Sequence, residues 1–155
     1  MTWIRTKPAL EELARSLESC RTIGIDTESD SLYHHRDKVC LVQIATPDLI
    51  ACVDPLALDD LQPLLDLIYN PQVLKVLHSA RQDLEVFFDL RGTPPAPVFD
   101  TQIAAAFLGF DDQVGYAALV EAVTGVKLDK AHTRANWALR PLSAEQVTYA
   151  EDDVR

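Results

Sequence analysis

Apolar and polar positions along the 155 residues alternate between strand-like and helix-like spacing. The clearest strand is Arg21–Glu28 (RTIGIDTE), an apolar run that ends in two carboxylates. Before it, Leu10, Leu13, Ala14 and Leu17 recur at helical spacing and predict a helix over Pro8–Ser19, with its proline in the first turn. After it come the polar stretch Ser29–Lys38 and two more apolar runs, Val39–Ala45 and Leu49–Val53, joined by Thr46-Pro47-Asp48. Three successive strands with short connections predict an antiparallel meander.

Leu58–Tyr69 reads as a helix that Asp59 or Asp60 caps, with Pro63 in its first turn. Val73–Leu77 is a short buried strand, and Ser79 is placed to cap a helix running through Leu90. Arg91–Pro97 is rich in glycine and proline but short enough to be a loop rather than a domain boundary. Asp100 caps a helix over Thr101–Leu108, Gly115–Thr124 is a helix closed by Gly125, and Val126–Arg140 is irregular. The last helix is the best signalled: Ser143 and Gln146 make a capping box, and Leu142 can staple onto Val147.

With 48% hydrophobic residues the chain has material for one core, hence one domain. It has no apolar run long enough to span a bilayer and no secretory leader, so a soluble cytoplasmic protein with no membrane partner is expected. Three cysteines (Cys20, Cys40, Cys52), odd in number and without CxxC spacing, argue against a disulfide framework or a zinc site and read as reduced core residues. The net charge of −10 argues against passive nucleic-acid binding, unless acidic groups hold cations where a phosphate must approach. Basic residues gather in two places: His34, His35, Arg36 and Lys38, a solvated loop or a phosphate contact, and Lys127, Lys130, His132, Arg134 and Arg140.

The candidate chemistry is acidic. Side chains of a strand alternate faces, so Asp26 and Glu28 point the same way, roughly 6.5 Å apart along it. Such a pair repels itself unless a cation intervenes, although a solvated strand end would look the same. Asp83 falls in a first helical turn, where an acid is also favoured by the helix dipole alone, and His78 can be an ordinary hydrogen-bonded histidine. Tyr149 and Asp153, four apart, share one face of the last helix, while Glu151 and Asp152 point elsewhere, toward solvent. Asp153 lies two residues from the last residue, where a helix frays, so a weak metal site is expected there.

Taken in order, Asp26-x-Glu28, Asp83 after His78-Ser79-Ala80-Arg81-Gln82, and Tyr149-x-x-x-Asp153 resemble the three motifs of the DEDD superfamily of 3′–5′ exonucleases. The tyrosine places the chain with the tyrosine subgroup, and it is most similar to the ribonuclease D family. Ile23-Gly24-Ile25, Leu41-Val42-Gln43-Ile44, Phe99-Asp100-Thr101, Trp137, Arg140-Pro141-Leu142-Ser143 and Tyr149-Ala150 carry the likeness across nearly the whole chain.

The resemblance implies a ribonuclease H-like (DnaQ-like exonuclease) α/β fold, a mixed sheet with helices on both faces, whose first three strands form the meander. It also implies that Asp26, Glu28 and Asp153 bind a first Mg²⁺ or Mn²⁺, that Asp26 reaches a second ion with Asp83 in support, and that Tyr149 orients the attacking water. The implied substrate is a single-stranded RNA 3′ end, such as that of tRNA, cut to nucleoside 5′-monophosphates. A DNA 3′ end, or a non-catalytic binding module, are the alternatives. Family members usually continue well past the third motif, often into helical nucleic-acid-binding domains, so residues 1–155 are expected to be an exonuclease domain lacking its C-terminal end and any such domain.

Overall fold

The structure, a computed structural model, describes residues 2–30, 38–128 and 135–155. Its elements in chain order are β1 (Thr2–Ile4), α1 (Lys7–Ser16), β2 (Thr22–Asp30), β3 (Lys38–Thr46) and β4 (Leu49–Val53). They continue with α2 (Gln62–Ile68), β5 (Leu74–Leu77), α3 (Arg81–Arg91), β6 (Val98–Asp100), α4 (Thr101–Phe107), α5 (Tyr116–Thr124) and α6 (Ala144–Asp152). The strands form one mixed sheet in the order β1-β4-β3-β2-β5-β6. The β2–β3 and β3–β4 pairs are antiparallel and the β1–β4, β2–β5 and β5–β6 pairs parallel.

Strand alternation sorts the sheet into two faces. Ile23, Ile25, Val42, Ile44, Ala51 and Val53 pack with Leu10, Leu13 and Leu17 of the α1 region, Leu64 and Ile68 of α2, and Val86 and Phe87 of α3. The opposite face carries Leu41 and Cys52, which with Cys40 pack against Trp137 and Ala150 of α6, so helices cover both faces as expected.

Between Glu28 and Ser29 the β2–β3 register shifts: Glu28 pairs with Leu41 but Ser29 with Val39, leaving Cys40 as an extra residue. This bulge is why Cys40 and Leu41, neighbours in sequence, fall in the same cluster, and it lies beside the carboxylate end of β2. Cys40 and Cys52 are buried, as expected of core cysteines, and Cys20 is half-buried at the edge of the larger core.

The structure corrects several expectations. The meander consists of the second to fourth strands rather than the first three, because Thr2–Ile4 adds a parallel edge strand on β4. A second short edge strand, Val98–Asp100, follows the Arg91–Pro97 loop. The helix expected from Leu58 starts only at Gln62, after a 3₁₀ turn over Pro55–Ala57; Asp60 still accepts the Gln62 N–H (2.9 Å), and its other oxygen takes Lys7 Nζ (2.9 Å). The first helix ends at Ser16 rather than Ser19. Ser79 does not cap α3; it takes a positive φ of 57°, and its N–H and that of Ala80 donate to Asp100 of β6.

Two cations, Lys75 buried and Arg140 partly buried, tie the framework together. Lys75 on β5 is fully buried, its Nζ donating to the carbonyls of Val73 (2.7 Å), Ala96 (2.8 Å) and Asn70 (3.0 Å), and burial pushes its pKa down to about 8. Arg140 reaches Asp54 through two N–H donors at 2.8 Å each and also donates to the carbonyls of Cys40, Trp137 and Leu139. That guanidinium fastens the segment leading into α6 to β3 and to the end of β4.

Candidate active site

The site is built where β2 meets α6. Asp26 and Glu28 project from the same face of β2, and α6 brings Asp153 against them: one carboxylate oxygen from each lies within 4.8 Å of the others. The capping box sets the start of this helix, with Gln146 N–H on Ser143 Oγ and the Gln146 side chain accepting the Ser143 N–H. At the other end Asp153 is the C-cap, its N–H on the Tyr149 carbonyl. The last residues are docked rather than frayed. A methyl placed at Gly24 would lie 3.4 Å from the Val154 carbonyl oxygen, so the bare backbone of β2 is the surface on which Val154 rests. Arg155 binds Glu151 (2.7 Å) and lies 3.5 Å from Asp152, so these two acids are half-buried and paired rather than solvated.

Asp83 is buried in the first turn of α3 and is joined to β2 by Thr27, whose hydroxyl donates to its carboxylate at 2.6 Å. Asp100 caps α4 and also holds the turn that leads into α3. Asp100 accepts the N–H groups of Ser79 (3.0 Å) and Ala80 (2.8 Å) before α3, and those of Gln102 (2.8 Å) and Ile103 (3.4 Å) in α4. Burial works against its ionisation, yet these donors hold the Asp100 carboxyl below the usual range. His78 is fully engaged: Nε2 donates to the Val114 carbonyl (2.9 Å), and Nδ1 meets the Thr101 hydroxyl (2.9 Å).

Tyr149 donates from its hydroxyl to Asp153, and its ring lies 6.1 Å from that of Trp137. A second phenol, Tyr116 at the start of α5, was missed by sequence reasoning because it belongs to none of the three motifs. Its ring packs edge-on against His78 at 5.5 Å, and burial, together with the charges of Asp153, Asp26 and Asp152, pushes its hydroxyl up to about 12. Gln43, also missed as a site residue, is fully buried opposite Asp26 and donates to its Oδ2 at 3.2 Å.

The electrostatics are those of clustered acids in a partly desolvated place. Burial raises Asp26 well above the ordinary carboxylate range, and the charges of Asp83, Glu28 and Asp153 add to it. Burial and the same neighbours push Glu28 to about 8. Burial lifts Asp153 to about 6 against the opposing hydrogen bond from Tyr149, and Asp83 is raised by burial against that from Thr27. Clustered, partly desolvated carboxylate oxygens are the donor set that hard divalent ions take, and a bound cation would reverse these shifts.

Groups that hold protons more tightly in the folded chain make it less stable as pH rises through the gap between their unfolded and folded values. Without divalent ions, the melting temperature is therefore expected to fall as pH goes from about 4.5 to about 8, the window that Glu28 defines. Mn²⁺ at pH 8 is expected to restore it. A melting temperature flat across that range, and deaf to Mn²⁺, would contradict the assignment.

Of the expected site residues, Asp26, Glu28 and Asp153 converge, Tyr149 reaches Asp153, and Asp83 stands beside them through Thr27. His34, His35, Arg36, Lys130, His132 and Arg134 lie outside the described residues. Lys127 is exposed, and Arg140 is spent on Asp54.

A mixed sheet whose central strand presents carboxylates to one on a late helix defines a ribonuclease H-like domain of the DnaQ-like exonuclease fold. The chain belongs to the 3′–5′ exonuclease family, whose model matches residues 1–155. It is 47% identical over 148 residues to ribonuclease D of Gluconacetobacter diazotrophicus, covering 93% of this chain and 38% of that protein. The crystal structure of Escherichia coli RNase D, described as an exoribonuclease involved in structured RNA processing, superposes with a TM-score of 0.94 at 37% identity, over 99% of this chain and 41% of that one. The catalytic core of RRP6 from Trypanosoma brucei follows at 0.90 and 32%, over 99% and 42%. The chain thus spans about two fifths of the length of these relatives.

Proposed function

We propose that residues 1–155 form one exonuclease domain that hydrolyses the terminal phosphodiester of single-stranded RNA 3′ ends, releasing nucleoside 5′-monophosphates. The observation that carries this is the convergence of Asp26, Glu28 and Asp153 in a partly desolvated group. In this reading those three residues hold one Mg²⁺ or Mn²⁺, and Asp26 with Asp83 holds a second. Bound there, a pair of such ions supplies Lewis-acid stabilisation of the charge that develops on the phosphate and the leaving 3′-oxygen. Thr27 keeps the Asp83 carboxylate oriented, and Tyr149 aligns the attacking water from its place on Asp153. Resident cations also answer the objection of a −10 chain, because they make the acidic cleft locally attractive to a phosphate.

The test is digestion of 5′-labelled RNA and DNA oligonucleotides of one sequence with Mg²⁺, with Mn²⁺ and with chelator. A ladder shortening from the 3′ end of RNA, abolished by chelator, is the expected result. Preferential shortening of DNA would replace RNA as the substrate, and no metal-dependent shortening of either would leave a binding module.

Tyr149→Phe separates the phenol from the metal group. It deletes one hydrogen bond and no metal ligand, so the rate is expected to fall about 10²-fold with metal affinity unchanged. A parallel loss of Mn²⁺ binding would make Tyr149 a structural support of Asp153 instead.

A further inference from the structure

Gln43 occupies a place where an apolar residue would stabilise the sheet better. It is fully buried in β3, between Asp26 of β2 and Cys52 of β4 in the cross-strand register. Its Nε2 donates to Asp26 Oδ2 at 3.2 Å. Among the described residues, its Oε1 is buried without a hydrogen-bond partner. An unmet buried acceptor is destabilising, and a leucine or methionine of similar size would not carry one. The donating half of the amide is therefore the part with a use.

We propose that Gln43 is a positioning residue for metal binding: its amide N–H ties one oxygen of Asp26 to the neighbouring strand and so fixes the orientation of that carboxylate toward Glu28 and Asp153. The inference rests on the reading of the carboxylate group as a metal centre. The geometry supports it from both sides. Asp26 and Gln43 are directly opposed across the β2–β3 pair, so the amide reaches the carboxylate from within the rigid sheet rather than from a loop. The bulge at Cys40 begins just beyond, past the Glu28–Leu41 pair, so the ladder is regular at Asp26 and gives way only after Glu28. A carboxylate free to turn about its terminal torsion samples orientations that do not face its partners, whereas a hydrogen-bonded one is already aimed.

The experiment compares Mn²⁺ binding by calorimetry, RNA hydrolysis across a Mn²⁺ titration, and thermal melting for the wild-type chain, Gln43→Met and Gln43→Leu. Both variants keep the volume and remove the N–H together with the unmet acceptor. The expected result is a melting temperature close to wild type with Mn²⁺ affinity weakened about 10-fold or more, the half-saturating Mn²⁺ for hydrolysis rising in step and the KM for RNA unchanged. If one variant folds poorly the other carries the comparison. Wild-type Mn²⁺ affinity in a folded variant overturns the inference and leaves Gln43 a core residue. A wild-type chain that binds no Mn²⁺ overturns the metal reading itself, a different outcome in a different sample.

Discussion

Asp26→Asn is expected to abolish hydrolysis while leaving the fold intact. Asp26 is the one carboxylate assigned to both ions, and the substitution keeps its shape while removing its charge. Losing several kcal/mol of charge stabilisation at the phosphate corresponds to a rate at least about 10³-fold lower. The same change relieves repulsion in the metal-free chain, where Asp83, Glu28 and Asp153 all act to raise Asp26. The variant should therefore melt at or above the wild-type temperature without divalent ions at pH 8, and gain less from added Mn²⁺. Turnover at saturating Mn²⁺ and melting curves with chelator check both halves. Wild-type-like turnover would sink the two-ion reading.

Arg140→Met is expected to be the most damaging substitution for stability. The Asp54 side chain is 2% exposed and accepts two 2.8 Å bonds from this guanidinium, besides the Leu56 N–H at 3.1 Å, while Arg5 stands farther off at 3.8 Å. Burial alone would raise the Asp54 carboxyl, and it is Arg140 that chiefly brings it below the usual range. Removing one partner of such a pair costs about 3–5 kcal/mol, and here it leaves the buried Asp54 charge only the Leu56 N–H and the more distant Arg5. For a domain of this size that lowers the melting temperature by about 10 °C. The double change Arg140→Met with Asp54→Leu should recover much of the loss, because no charge is then left buried. A single variant that melts within a degree or two of wild type would show that Arg5 and water suffice for Asp54.

The elements that sequence patterning found are those whose apolar spacing runs for at least a turn or two of strand or helix. β2, β3, β4, β5 and α6 were legible because each carries its own signal, whether an apolar run, a short turn or a capping box. The three-residue edge strands Thr2–Ile4 and Val98–Asp100 are too short to show any period, and exist because neighbours offer them a parallel ladder. Ser79 illustrates the opposite failure. A serine before a helix is a sound local cap, but Ser79 takes a positive φ, its own N–H binds Asp100 of β6, and Ala80 becomes the residue at the cap position. The roles of Lys75 and Arg140 were not legible because most of their carbonyl and carboxylate partners lie elsewhere in the chain. The motif carboxylates were legible as chemistry, whereas Gln43 and Tyr116 became site residues only when the sheet register and the α5 approach brought them there.

Asp100 links the start of α4 to the turn before α3. Its oxygens are the meeting point of four backbone amides, two ahead of α3 and two in α4, and His78 binds the same junction through Thr101. Turning that carboxylate away would release amides on both sides of the junction. Asp83, seated in the first turn of α3, is thereby registered against β6 as well as against β2. Asp100 is not one of the three converging carboxylates, yet it acts as the datum from which the α3 side of the site is measured.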